Sequence, residues 1–145
     1  IYNDGLIVDA IGRSLDGKQP KWLRYGGAAE YAKYCYGTPN GVYVVVEDVI
    51  SAVTVATVFP DVTGFALLGT SLTDAHKECL SDSASYVMVA LDPDALRKTL
   101  VMRKEIEAWC DIPSRAIRLR DDIKYQDAED MDFIGRWIDV AEKSH

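Results

Sequence analysis

From residue 41 onward the sequence changes period in a fixed rhythm, and that rhythm confines the chain to one class of fold. Short apolar runs, such as Val42-Tyr43-Val44-Val45-Val46 and Tyr86-Val87-Met88-Val89-Ala90-Leu91, alternate with longer stretches whose apolar residues recur every three or four positions. Runs that are apolar on both faces read as buried parallel strands, and the stretches between them as covering helices. The pattern predicts strands at 42–46, 63–68, 86–91 and 115–119, and helices at about 48–58, 73–80, 95–110 and 127–142. Strand–helix repetition of this kind gives an α/β fold with a parallel sheet. Four strands are too few to close an eight-stranded barrel, so residues 41–145 are expected to form an open sheet of about four parallel strands flanked by helices. The last helix gathers Met131, Ile134, Trp137, Ile138 and Ala141 on one face, and its acids are expected on a solvated face opposite.

Two of the apolar runs end abruptly in acid. Val46 is followed by Glu47-Asp48, and Leu91 by Asp92-Pro93-Asp94. In open α/β sheets ligands sit beyond the carboxyl ends of the strands, which is where these carboxylates are expected. Pro93 lacks an N–H and has a fixed φ, so it belongs where the ladder is over and stiffens the turn between its two acids. Asp is also a good helix N-cap, and for Asp92 or Asp94 alone that simpler account stands equally well. If the two strands are neighbours, Glu47, Asp92 and Asp94 converge, and acids so close repel unless a hard divalent cation binds them. Oxygen-only ligands favour Mg2+ or Mn2+. Two further loops follow strands. Gly69-Thr70-Ser71 offers backbone N–H groups and hydroxyls for a phosphate, although Ser71 or Thr73 as plain N-caps is the simpler account. Asp121-Asp122-Ile123-Lys124 adds carboxylates and one ammonium at the same sheet edge.

Residues 1–40 have a different make-up. Leu6 to Ser14 has strand character, Asp16-Gly17 is a hairpin signal, and Lys21-Trp22-Leu23-Arg24-Tyr25 follows, so a small basic, strand-rich subdomain is expected. It begins at Ile1 rather than Met, in the middle of strand-like sequence, and is read as incomplete at its N-terminus. Glycine clusters at 26–27 and 37–41 bracket an expected short Tyr-rich helix. The formal net charge of −7 is unusual for a nucleic-acid binder. It conceals an asymmetry, because residues 12–34 hold five basic side chains against two acidic ones, and residues 121–145 three against eight. Arg13, Lys21 and Arg24 interleaved with Trp22 and Tyr25 suit a surface that meets phosphates and stacks bases, but on composition alone a solvated edge strand is the simpler account. Cys35, Cys79 and Cys110 are scattered and odd in number, which indicates neither a zinc site nor a disulfide framework and points to a reducing, cytoplasmic setting. No apolar run approaches the roughly 20 residues of a membrane span, so no membrane is expected among the partners.

The order of these motifs resembles the TOPRIM domain of DNA primases, both DnaG-type and phage-type, a domain shared with topoisomerases and some nucleases. The strand ending in Glu47, the Gly69-Thr70-Ser71 loop, the strand ending in Asp92-Pro93-Asp94 and the later Asp122-Ile123-Lys124 carry the likeness. Gly12-Arg13 and Pro20-Lys21-Trp22 extend it to the small basic subdomain that precedes TOPRIM in primases. The resemblance implies a Rossmann-like TOPRIM sheet and a metal-dependent nucleotidyltransferase making short RNA primers on single-stranded DNA from ribonucleoside triphosphates. It implies that Glu47, Asp92 and Asp94 are catalytic and hold Mg2+ or Mn2+, with Arg13, Lys21 and Lys124 on nucleotide or template phosphates. Asp48, Asp122, Lys33 and Thr70 are further candidates. A zinc-binding module and a replicative helicase are implied partners, in the cytoplasm, or the host cytoplasm for a phage protein. The chain departs from bacterial primases at Ser51, where they carry an Asp, and at Ile123, where Pro is usual. A TOPRIM endonuclease using the same acids, or a non-catalytic docking module of a replisome protein, would share this fold.

Overall fold

The computed structural model describes residues 2–3, 6–7, 11–17, 22–24, 34–37, 41–69 and 71–143, in two compact units, Ile1–Lys33 and Tyr34–His145. In the first, β1 (Tyr2–Asn3) pairs antiparallel with β2 (Leu6–Ile7), and β3 (Ile11–Arg13) with β4 (Trp22–Arg24). Arg13 lies opposite Trp22, and the chain turns through Gly17 at φ 73°, a left-handed conformation that glycine adopts without strain. The expected hairpin around Asp16-Gly17 is therefore present. Within the stretch of strand character from Leu6 to Ser14, Leu6–Ile7 pairs with Tyr2–Asn3 and Ile11–Arg13 with Trp22–Arg24, and residues 8–10 lie outside the described residues. Most of the expected Tyr-rich helix lies outside the described residues, and its last part, Cys35–Tyr36, is strand.

The second unit is a five-stranded sheet in the order β5-β7-β6-β8-β9. Its strands are β5 (Cys35–Tyr36), β6 (Val42–Val46), β7 (Thr63–Ala66), β8 (Tyr86–Val89) and β9 (Ser114–Ala116). The last four are parallel, as expected, and β5 is an antiparallel edge. Four helices follow in alternation, α1 (Val49–Val58), α2 (Asp74–Ser83), α3 (Leu96–Cys110) and α4 (Ala128–Lys143). The chain steps from β6 to β7 in one direction, and from β7 past β6 to β8 and β9 in the other. With crossovers of one hand, that reversal sends helices to opposite faces.

The two halves of the core follow the pleat of the strands. Val42, Val44, Val46, Met88 and Ala90 point to one face and pack with Ala52 and Val55 of α1 and Ile134, Ile138 and Ala141 of α4. Tyr43, Val45, Val87, Val89 and Leu91 point to the other and pack with Leu80 of α2 and Met102 and Ile106 of α3. Burial on both sides explains why the strands read as unbroken apolar runs. Gly64 on β7 lets α1 lie against the sheet, since a Cβ there would stand 2.0 Å from the Ala52 carbonyl oxygen. One acid of α4 departs from the expected solvated face. Asp130 is buried, and its carboxylate accepts the backbone N–H of Arg120 at 2.8 and 3.0 Å and that of Asp121 at 3.1 Å. It thereby fixes the loop leaving β9, which carries Asp122 and Lys124.

Candidate active site

The strand order reverses at β6, so the crevice of this sheet opens beyond the carboxyl ends of β6 and its neighbour β8. Residue for residue the two strands are in register, Val45 opposite Val89, and the ladder runs on through the Ala90 N–H to the Val45 carbonyl at 2.9 Å. Glu47 leaves β6 at this edge and Asp92 leaves β8 beside it. Of the three acids expected to converge, Glu47 and Asp92 are near enough for the charge of one to act on the other. The Glu47 carboxyl is pushed above the usual carboxylate range by burial and then by the negative charge of Asp92, while Lys98 and a hydrogen bond with the Asp92 backbone pull it back. Asp92 is raised in the same way, by burial first and then by Asp122, with Lys124 opposing and Asp48 and Asp94 adding to the rise. Asp94 is exposed, in the single 3-10 turn Pro93–Ala95 that leads into α3.

Capping does not account for these acids. Asp92 precedes the turn at φ −52° and ψ 151°, the extended conformation demanded of a residue before proline, and its side chain makes no cap hydrogen bond. Asp48 is the residue that caps. Its carboxylate accepts the Ser51 backbone N–H at 2.9 Å and the Ser51 hydroxyl at 3.3 Å, closing the start of α1. Ser51, where bacterial primases carry an acid, is thus a buried helix-start residue in this chain. In the Gly69-Thr70-Ser71 loop Thr70 lies outside the described residues, and the cap of α2 is Thr73, in a reciprocal pair with His76.

Lys124 faces the acids of the neighbouring elements. Its side chain is 12% exposed, with Nζ 2.5 Å from Asp122 and 3.9 Å from Asp48. Its pKa is raised: burial works against the charge, but Asp122, Asp48 and Asp92 outweigh it. Lys124 is therefore an internal counter-charge that ties the β9 loop to the start of α1 and moderates Asp92. Lys98 does the same for Glu47 from α3. It was not singled out in the sequence, although its position four residues after Asp94, one helical turn on, was the available signal. Arg13 lies on β3 in the first unit, and Lys21 and Lys33 lie outside the described residues.

Among the described residues no three acidic, histidine or cysteine side chains are gathered closely enough to enclose a metal ion. The donor set nevertheless suits a hard cation that keeps part of its water shell. Magnesium is commonly held by one or two carboxylates plus substrate phosphates rather than by a protein cage, and two repelling half-buried carboxylates offer that much.

No family model and no curated protein sequence matches the chain. Solved structures do. The zinc-binding and RNA polymerase domains of the Aquifex aeolicus primase match with a TM-score of 0.69 at 19% identity, over 92% of this chain and 37% of that one. A DnaG primase catalytic domain bound to single-stranded DNA matches with a TM-score of 0.60 at 22% identity, over 93% and 48%. A DNA primase domain from Pseudomonas aeruginosa matches with a TM-score of 0.55 at 19% identity, over 83% and 42%. The chain spans less than half the length of each. The fold is that of DnaG-type primase catalytic domains, and the TOPRIM-like sheet expected from the motif order is present.

Proposed function

We propose that this chain is the catalytic core of a DNA primase, condensing ribonucleotides into short RNA on a single-stranded DNA template. One observation carries the reading: on a fold shared with primase catalytic domains, Glu47 and Asp92 stand side by side at the switch point of the sheet, with their negative charges opposed and no capping role for Asp92. Carboxylates whose pKa values stay raised despite nearby lysines are under-compensated, and such groups suit a site for further positive charge. Glu47, Asp92 and Asp94 are assigned to a divalent cation, Mg2+ or Mn2+. When bound, such an ion neutralises phosphate oxygens and activates the attacking hydroxyl.

The remaining roles follow from what the residues can do. Lys98 and Lys124 hold the acids close enough to share an ion without replacing it. Asp122 orients Lys124, and Asp130 fixes the loop that carries both. Arg13, Lys21 and Lys124, with Lys33 and Thr70 as further candidates, are assigned to template and nucleotide phosphates. The partners in this reading are a zinc-binding module and a replicative helicase, the setting is the cytoplasm, and a phage-type primase, in which Ser-Ala is often found where this chain has Ser51-Ala52, is the favoured branch. Among the described residues no helix is long and apolar enough to cross a membrane.

Product analysis tests the proposal. The chain is incubated with single-stranded DNA, ribonucleoside triphosphates and Mg2+ or Mn2+, joined to or supplemented with a primase zinc module. Short RNA that depends on template and triphosphates supports the primase. Cut DNA with no RNA replaces it with an endonuclease, and template binding without either product replaces it with a docking module.

A further inference from the structure

The cysteines, scattered in sequence, are not scattered in space. Cys35 on the edge strand β5 and Cys79 on α2 are 44 positions apart, yet their sulfurs lie 3.6 Å from each other. Both are free cysteines, half-buried against the core. A disulfide needs about 2.05 Å between sulfurs, so a closure of about 1.5 Å, within the reach of small χ1 rotations, would join them. We propose that Cys35 and Cys79 form a thiol–disulfide site, at which a low-molecular-weight disulfide reversibly fastens β5 to α2.

The two thiols are unequal in the way such a reaction requires. The hydrogen bond with Cys35 pulls the Cys79 thiol down from 9.0 to about 7, against burial and the charge of Asp82, so Cys79 is the attacking thiolate near neutral pH. It attacks one sulfur of the reagent disulfide and expels the other as a thiol, leaving a mixed disulfide on Cys79. Cys35 then loses its proton and displaces the second reagent thiol, closing the Cys35–Cys79 bond. Two electrons pass from the protein to the reagent, and the two protons leave on the two released thiols. Cys110 has no such partner nearby; its Sγ faces the Lys77 carbonyl oxygen at 3.7 Å.

What the bond would fasten is a short strand at one edge of the sheet. β5 is two residues long and pairs with β7, Cys35 opposite Phe65 and Tyr36 opposite Gly64. Short edge elements with few backbone bonds open first in native proteins. A covalent tie from β5 to α2 closes a loop of more than 40 residues, long enough for a marked effect on stability.

The experiment uses the full chain with an excess of oxidised glutathione near pH 7.5, followed by thiol blocking, digestion and mass spectrometry, and by thermal unfolding. The expected product is about 2 Da lighter, carries a Cys35–Cys79 cross-linked peptide with Cys110 blocked as a free thiol, and melts about 5–10 °C higher. Dithiothreitol reverses both changes. In Cys35→Ser the reaction stops at a glutathione adduct on Cys79, and the pH at which Cys79 is half-reactive towards iodoacetamide moves up from about 7. Adducts on both cysteines with no cross-link, a bond to Cys110, cross-linking that needs denaturant, or a reactivity profile unmoved in Cys35→Ser would each overturn the assignment.

Discussion

Two acids removed from bulk solvent by the same sheet meet opposite fates. Asp130 is enclosed by α4 and the β9 loop and receives N–H donors from Arg120 and Asp121. Glu47 stands at the carboxyl end of β6 facing Asp92, with burial and a like charge both opposing its ionisation. The first carboxylate has its charge answered by the backbone, and the second has it answered only in part, by Lys98 and a hydrogen bond with the Asp92 backbone, so that its pKa stays raised. The difference separates an acid that builds the fold from one that the fold holds ready for a ligand. It cannot be read from residue type or from burial alone, since Asp130 is the more buried of the two.

The comparison predicts a crossed pattern of mutational effects. The largest is on chemistry. Glu47→Gln is expected to lower dinucleotide synthesis by about 10³-fold while template affinity stays within about twofold, because a carboxylate acting in the transition state contributes there and not to template binding. Synthesis and template binding measured on one preparation decide it; equal activity in the two proteins would remove Glu47 from the site. Next in size, Asp130→Ala leaves two backbone N–H groups without their acceptor and should cost about 2–3 kcal/mol in urea unfolding. A loss below 0.5 kcal/mol, on the order of a surface substitution, would mean that the β9 loop does not depend on Asp130.

Smaller effects sharpen the contrast. Lys124→Met strips the counter-charge from Asp122 and Asp48 and is expected to destabilise by about 1 kcal/mol, with part of the loss recovered in Lys124→Met/Asp122→Asn. No recovery in the double variant would show that the loss comes from packing and not from charge. The smallest effect is in pH dependence. Glu47 and Asp92 have raised pKa values in the folded state, so their contribution to stability is fully present below the unfolded carboxylate pKa of about 4 and is lost as pH rises through the folded values. Without metal, the domain should therefore gain stability from these two groups as pH falls from 7 towards 5. Unfolding titrations of Glu47→Gln/Asp92→Asn should show that gain flattened and the stability at pH 7 equal or raised. A steeper pH response in the double variant would contradict mutual repulsion.

How much of this was legible in the sequence depended on how local the signal was. Strands and helices from Val42 to Lys143 announced themselves through period, because every buried position on β6 and β8 is apolar and every helix repeats within its own length. The placing of Glu47 and Asp92 beyond two neighbouring strands was legible because each closes an apolar run in the sequence. What escaped depends on contacts between distant segments. Asp130 looked like one more acid on a polar helix face, since its partners are nine and ten positions away in a loop without periodicity. Nothing in the sequence neighbourhood of Lys124 shows that Asp48, on another element, comes within 3.9 Å of it. Cys35–Tyr36 was too short to have a period at all, and the approach of Cys35 to Cys79 follows from its pairing with β7.

The strand order also sets a timetable. As the chain emerges from its N-terminus, β6, α1 and β7 can close as a unit, but the other edge of β6 stays unpaired until residues 86–89 have been made. For that interval a five-residue, wholly apolar strand presents open hydrogen-bonding groups, the feature that recruits other chains into aggregates. Arrival of β8 seals that edge and brings Asp92 up to Glu47 in the same event, so the step that ends the nascent chain's vulnerability is also the step that assembles its charged cleft. Variants that slow β8 docking should therefore accumulate as insoluble protein during synthesis, even where the finished domain, once formed, is as durable as the parent.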